Sequence, residues 1–367
     1  MLLQPGEGRV EGEVYVTSPP EDISWGFLPG SAHSPVATVA SGTTVTFDTI
    51  SHEGILEDQG RDPVAWFGER GVEPADVLRD ATALAASGVA HRFTDGPHVV
   101  TGPVRVAGAQ PGELLKVEVL SLEMRAPYGV VSNRHGKGCL AGEFPEHSAP
   151  SPDASAAAAH LYGNVHQFVP VESSASGPVG VIGYGEGRAA RFALRPFLGI
   201  MGVAPDTIEP VPSVPPGAHG GNIDVNLLGV GSTLYLPVQV DGAMFYTGDP
   251  HYSQGDGEVA LTAFEAPLRA TLRLSVLSTA EARAAVGLID RPFVETDEHW
   301  VPIGLDEDLD EAMRKATRAA ITFLETRIGM GRAEALAYLS AAADFEISQV
   351  VDAVKGVHCC IAKADFA

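Results

Sequence analysis

Asp249 and His251 stand two residues apart in Gly248-Asp249-Pro250-His251, a spacing that puts both side chains on one side of an extended segment. A carboxylate and an imidazole converging in this way can hold a divalent cation, and Asp224, in the glycine-bounded stretch before them, can supply a third ligand. Three protein ligands leave a position for water, whose pKa falls toward neutrality on such an ion. The competing reading is structural. Asp224, Asp249 and Asp256 then cap turns, as aspartate does routinely, and His251 is a satisfied polar side chain. Spacing alone leaves both open.

The same neighbourhood offers groups for acid–base work and for stabilising an anion. Glu258 is a candidate to take a proton from water and return it to a leaving group. Backbone N–H groups of Gly220-Gly221-Asn222 are candidates to face a tetrahedral oxyanion, and His219 heads that run. Glu258 and Glu265 are seven apart, an odd number, so a regular strand sends them to opposite faces and only one is expected at the site unless a bulge intervenes. A thiol enzyme is the rival: Cys139 follows His135-Gly136-Lys137-Gly138, a setting that can lower a thiol pKa, but no acid and base accompany it in sequence. His358, Cys359 and Cys360 are consecutive and cannot chelate one ion comfortably, so a core or interface position is expected for the cysteines. His147, His160 and His166 lack ligand spacing and read as exposed loop histidines. Gly183-Tyr184-Gly185-Glu186-Gly187 lacks the ending of a nucleotide loop and reads as a hairpin turn.

The elements that must position these groups are mostly strands. β-branched residues flank the Ser41-Gly42 turn, Val104 and Val106 alternate with Arg105, and Leu115, Val117 and Val119 alternate with Lys116 and Glu118. Alternation over 234–240, the Asp241-Gly242 pair and a returning run at 243–247 predict a hairpin that delivers the chain to Asp249, after which Glu258 opens another β run. Residues 73–86 read as one helix, opened by Pro74 and stopped by Gly88. Leu309, Met313, Ala316, Ala320 and Leu324 keep the 3.6-residue period, and a second helix is expected over 332–342. Trp66 and Phe67 read as a buried aromatic pair rather than a pocket lining, and 148–159 as a surface loop. The expected whole is one unit over 1–367, with a β region at 1–130, a site-bearing β region at 160–300 and a helical region at 301–367.

Composition narrows the partners. With 47 Asp and Glu against 24 Lys and Arg, the chain of 367 residues carries a formal charge of −23, and its basic residues are scattered. Nucleic acid and anionic membrane surfaces are therefore disfavoured. The 41 glycines and 27 prolines imply many tight turns and short strands. Three cysteines make no disulfide framework, the start has neither a basic region nor a long apolar run, and a soluble cytoplasmic protein is expected.

One long stretch goes further. HGGNIDVNLLGVGSTLYLPVQV followed by GDPHYSQGDGEV and Thr262-Ala263-Phe264-Glu265 resembles the acetamidase/formamidase family of metal-dependent small-amide hydrolases. The likeness extends to Val45-Thr46-Phe47, to Thr101-Gly102-Pro103-Val104, to Pro196-Phe197-Leu198-Gly199 and to the carboxy-terminal helices. It implies a mainly β, jelly-roll-related β-sandwich assembly with a few covering helices, often dimeric, that hydrolyses formamide- or acetamide-like substrates to acid and ammonia. It favours Asp224, Asp249 and His251 as metal ligands, with zinc the first expectation and calcium or manganese as alternatives. Glu258 and Glu265 match acidic positions of the family pattern. Where many relatives carry an Asp after the strand ending Phe47-Asp48-Thr49, this chain reads Ser51-His52-Glu53, so His52 and Glu53 are candidates to take over a ligand or base role. The other class of function is a non-catalytic, calcium-stabilised β-sandwich that binds a ligand.

Overall fold

The computed structural model describes residues 2–146 and 163–366; the stretch read as a surface loop, together with His147 and His160, lies outside them. The protein is mainly β, as its short β-branched runs and frequent turns require. A nine-stranded sheet runs in the order Val14–Val16, Thr43–Asp48, Leu268–Leu277, Leu114–Met124, Thr233–Pro237, Phe293–Glu295, His299–Asp306, Lys355–Ala362 and Asp344–Gln349. An eleven-stranded sheet has Phe245–Ser253 near its centre, flanked by Phe197–Val203, Phe264–Glu265 and Val99–Val106. The two sheets share one core: Val45, Phe47, Val117 and Leu272 from the first meet Val104, Met201, Val203 and Phe245 from the second. This is the sandwich that the sequence likeness implies, with strands alternating inward apolar and outward polar residues.

Several local readings change. Thr233–Pro237 and Phe245–Ser253 are not a hairpin, because they lie in different sheets. The Asp241-Gly242 pair instead sits in a corner between layers, where Gly242, Ala243 and Met244 all take positive φ. The expected helix over 73–86 is interrupted: a 3-10 turn, Pro74–Asp76, is followed by extended Val77 and Leu78 before the helix Arg79–Ala86. The break is held by Gln4, whose amide donates to the Val77 carbonyl and whose oxygen accepts from the Arg79 N–H. Gly185 to Gly187 do form a tight hairpin, joining Gly177–Tyr184 to Arg188–Ala193.

The carboxy-terminal stretch has its two expected helices, Leu309–Phe323 and Arg332–Ala342, but also strands. Leu309–Phe323 packs Ala312, Ala316 and Ala320 toward the sheet, and Gly304 permits the approach: a Cβ there would lie 2.1 Å from the Ala312 carbonyl. Beyond the helices, Asp344–Gln349 and Lys355–Ala362 pair antiparallel. The turn between these two strands reaches back to the centre of the molecule with Asp352. Trp66 and Phe67 are buried against Tyr128 and Phe168, as expected of a core pair.

Candidate metal centre

Seven loops, strands and strand ends converge around Phe245–Ser253 of the eleven-stranded sheet. Asp249 and His251 come from Phe245–Ser253, and Glu265, in the short strand Phe264–Glu265, lies directly across from His251. Asp224 follows the strand Gly220–Asn222; Glu258 lies in the turn after Phe245–Ser253; Asp352 comes from the carboxy-terminal hairpin. His52 follows the strand Thr43–Asp48, and His98 immediately precedes Val99–Val106. Donor atoms of Asp224, Asp249 and His251 lie within 4.8 Å of one another, as do those of His251, Glu258 and Glu265, of Asp224, Glu258 and Asp352, and of His52, His98 and Asp249.

The backbone is bent to make this possible. Asp224, Asp249 and Glu258 have φ of 46°, 49° and 48°, a left-handed region that costs non-glycine residues energy and is retained where surrounding structure enforces it. Glu258 therefore opens no regular strand. The turns at Glu258 and at Leu261, φ 126°, cancel the odd spacing, so both Glu258 and Glu265 reach the centre. Gly199 forms the floor. A Cβ there would stand 2.4 Å from Asp224 Oδ1 and 2.7 Å from both Asp249 Oδ2 and His251 Cε1.

These donors are buried and short of partners. Both carboxylate oxygens of Asp224, both ring nitrogens of His251 and of His52, Asp249 Oδ1, Glu265 Oε2 and Asp352 Oδ2 have no hydrogen-bond partner. His251 Nε2 lies 3.2 Å from Asp249 Oδ2 and 3.0 Å from Glu265 Oε1. Burial, then Glu258, Asp352 and Asp249, push the Asp224 carboxyl well above its ordinary range. Burial and the Asp352, Glu265 and Asp249 carboxylates do the same to Glu258, and Asp352 is pushed up to about 8, first by burial. Burial alone would lower the histidines, but Glu265 and Asp249 raise His251 well above its usual value and Asp249, Glu53 and Glu265 raise His52 to about 10. Burial would raise Asp249 too, yet His251, His98 and His52 hold it well below. Charge in the cluster is thus balanced by protons alone, the arrangement expected of a donor set whose protons a cation displaces. The residues fit a divalent ion.

A cavity of about 440 Å³ opens over the centre. Asp249, Glu258, Glu265, Asp352 and Asn222 line it at the centre, and the remainder is mixed, with Leu56, Pro97, Val214, Leu261 and Val351 beside charged groups such as Glu57, Asp95, Arg134, Lys137 and Lys355. The oxyanion reading of the glycines is corrected in part. The Gly220 N–H donates to the Gly217 carbonyl at 3.0 Å, and Gly221 pairs with Met201 in the sheet, so these backbone groups are committed. Asn222 does line the cavity. His219 is outside the converging set: its ring packs at Gly217 and Gly221, and burial lowers its pKa to about 4. Glu53 stands behind His52, its Oε1 3.3 Å from His52 Nε2 and 3.0 Å from Arg134 Nη1. His166 is not an exposed loop residue. It is largely buried in the Glu53–Asp58–Arg134 network, with Nδ1 2.8 Å from Ser132 Oγ.

Cys139 is exposed and outside the cavity lining. Cys359 is in the core, as expected, while strand alternation turns His358 and Cys360 together toward Glu346. There the donors are satisfied: His358 Nδ1 is 2.8 Å from Ser348 Oγ and its Nε2 3.1 Å from Glu346 Oε2.

The model of the Acetamidase/Formamidase family matches residues 83–208 and 207–363, and so spans every donor named above except His52. This chain belongs to the acetamidase/formamidase family. The acetamidase of Mycolicibacterium smegmatis is 28% identical over 200 residues, 44% of this chain and 49% of that protein. The formamidase of Methylophilus methylotrophus is 27% identical over 195 residues, 44% and 47% of the two chains. The match spans about half the length of these curated relatives. Among solved structures, an acetamidase from Bacillus halodurans superposes with a TM-score of 0.71 at 28% identity, over 96% of this chain and 98% of that one. A predicted acetamidase/formamidase of Thermoanaerobacter tengcongensis shares the fold at 22% identity, with a TM-score of 0.70 over 100% and 98%. No helix among the described residues is long and apolar enough to cross a membrane.

His98, Asp352 and Gly199 were missed by sequence reasoning. Asp352 offered one signal, a lone acid between Val350-Val351 and Val354, but the region read as helical.

Proposed function

We propose that this member of the family is a metal-dependent amidohydrolase that cleaves the C–N bond of small linear amides to a carboxylic acid and ammonia. The reading is supported by family membership and carried by one observation: buried carboxylate and imidazole atoms without partners gather beside a substrate-sized cavity, which Asp249 and Glu265 line while Asp224 and His251 lie behind them. Asp224, Asp249 and His251 are assigned to hold the cation, with zinc expected first and calcium or manganese as alternatives. When bound, such an ion polarises a carbonyl and lowers the pKa of water toward neutrality.

The side chains supply the remaining requirements. An amide resists hydrolysis because its carbonyl is resonance-stabilised and its nitrogen departs poorly unless protonated. Glu258 is placed to take the proton given up by water as the new C–O bond forms and to hand it to nitrogen as the C–N bond breaks. A carboxyl held high by burial and by its acidic neighbours both accepts and donates near neutral pH. Asn222 can offer its side-chain N–H to the oxygen that gains negative charge. The cavity volume lies in the range that holds drug-sized ligands, so amides longer than acetamide are within reach.

Ammonia released from a graded panel of amides, formamide upward, by stripped and metal-reloaded protein tests this reading. Release by the reloaded enzyme alone is expected. Absence of release from every linear amide would reject the amidase, and full turnover by a demonstrably metal-free His251→Ala variant would reject the metal assignment.

A further inference from the structure

We infer that the centre holds two cations, with Asp249 and Glu265 as shared ligands between a His251 pole and a second pole formed by His52 and His98. The inference rests on the reading that a cation binds at Asp224, Asp249 and His251, and extends it. Both shared carboxylates are split in the same direction. Asp249 Oδ2 lies 3.2 Å from His251 Nε2, while Oδ1 faces the other way, 3.7 Å from His52 Nδ1 and 3.9 Å from His98 Nε2. Glu265 Oε1 lies 3.0 Å from His251 Nε2, while Oε2 is 3.9 Å from His52 Nδ1. Separations of 3.7–3.9 Å are too long for hydrogen bonds. They do suit neighbouring ligands of one ion whose bonds are about 2.0–2.2 Å long.

The two histidines are held as ligands are held. His98 Nδ1 is 2.9 Å from Ser213 Oγ, which leaves Nε2 to face the cavity. His52 is fully enclosed, neither ring nitrogen has a hydrogen bond, and Nε2 is backed by the Glu53 carboxylate that Arg134 fixes. A buried imidazole without partners is costly unless something else satisfies it. A single ion beside His251 leaves the His52 pole in that state, and an ion beside His52 leaves Asp224 and His251 in it. Two imidazoles with two shared carboxylates suit zinc or manganese, whereas the opposite side has one imidazole, His251, among the oxygen donors of Asp224, Glu258 and Asp352 and is harder in character.

The test uses the full chain, stripped with chelator, reloaded with Zn(II) and freed of excess by gel filtration, with metal per chain counted by mass spectrometry. Two ions are expected in the wild type and one each in His98→Ala and His52→Gln. Mn(II) electron paramagnetic resonance should show coupled ions in the wild type and an isolated one in the variants. Ser213→Ala, which leaves all ligands in place, should weaken one of two binding steps about 10-fold. One ion in the wild type and in both variants overturns the second pole while leaving the one-ion reading intact. Two ions retained in both variants overturns the assignment to His52 and His98. No bound ion in the wild type overturns the one-ion reading itself, and this inference with it.

Discussion

Two buried acidic regions of this molecule differ in where their positive charge comes from. Around Asp48 the chain brings its own: Arg269 Nε donates to Asp48 Oδ1 at 2.6 Å and Nη2 to Oδ2 at 2.9 Å, Tyr15 adds a hydroxyl, and Arg125 spans to Asp80 at 2.8 Å. Around Asp249 there are at least as many buried carboxylates, yet neither an arginine nor a lysine forms an ion pair with Asp224, Asp249, Glu258, Glu265 or Asp352 among the described residues. The first arrangement is matched in charge from within: the Arg269 fork satisfies Asp48 bidentately and Arg125 pairs with Asp80, although Asp80 Oδ2 and Arg125 Nη2 lack a well-directed hydrogen bond. The second has no guanidinium or ammonium partner, and several of its buried donor atoms have no hydrogen bond. The Glu346–His358–Cys360 cluster sharpens the lesson, because it has metal-binding residue types but its imidazole is already fully hydrogen-bonded.

The largest effect should come from the open region. Asp249→Asn is expected to abolish metal retention and His251→Ala to lose the ion beside it, each lowering ammonia release by about 10³-fold or more with circular dichroism unchanged. A variant that keeps both metal and turnover would break the comparison.

The closed region should respond in the opposite manner. Arg269→Leu strands Asp48, so denaturant unfolding should show a loss of about 3–5 kcal/mol that added metal does not recover. Asp224→Asn should instead raise the stability of the metal-free protein by about 1 kcal/mol while weakening its response to metal, because it removes a buried carboxyl that burial and like charges disfavour.

The pH dependence has a definite sign. Carboxyls whose folded pKa is raised bind more protons folded than unfolded, so their stabilisation is complete below the unfolded value and is lost as pH rises through the folded one. His98 and His219, lowered to about 4 by burial, contribute with the opposite sign up to about pH 6.5; above it, with Asp352 pushed up to about 8, the stripped protein should lose stability from about pH 6.5 toward pH 8, and reloading with metal should flatten that slope. Thermal melts across this window, with and without metal, give the answer; a stripped protein that gains stability as pH rises would contradict the charge accounting. The smallest effect is Gly199→Ala, whose methyl would press on Asp224, Asp249 and His251 and should weaken metal binding about 10-fold by titration calorimetry while leaving the fold intact.

Much of this was legible beforehand, for physical reasons. Alternating β-branched runs announced the sheets, and Asp224, Asp249, His251, Glu258 and Glu265 announced themselves because turn acids and an imidazole crowd one 42-residue stretch. Convergence followed from a different cause than the one anticipated. Regular alternation does not aim these side chains; positive φ at Asp224, Asp249 and Glu258 does, and such kinks have no signature in residue type. His98 and Asp352 could not be placed because each is an ordinary polar residue locally: His98 reaches the centre through pairing of Val99–Val106 with Phe245–Ser253, and Asp352 because its hairpin bonds to Gly257 through Ser348 and Val350.

The sequence by itself determined the family, the mainly β class, the strong negative charge and the kinds of donor atom on offer, since these depend on residue identity and short-range periodicity. The tertiary structure alone decided which acids are answered by arginine and which meet only histidines and one another. That outcome depends on which distant strand ends meet in a buried space, and it is burial that makes a carboxylate without a basic partner costly where at the surface it would be an ordinary group.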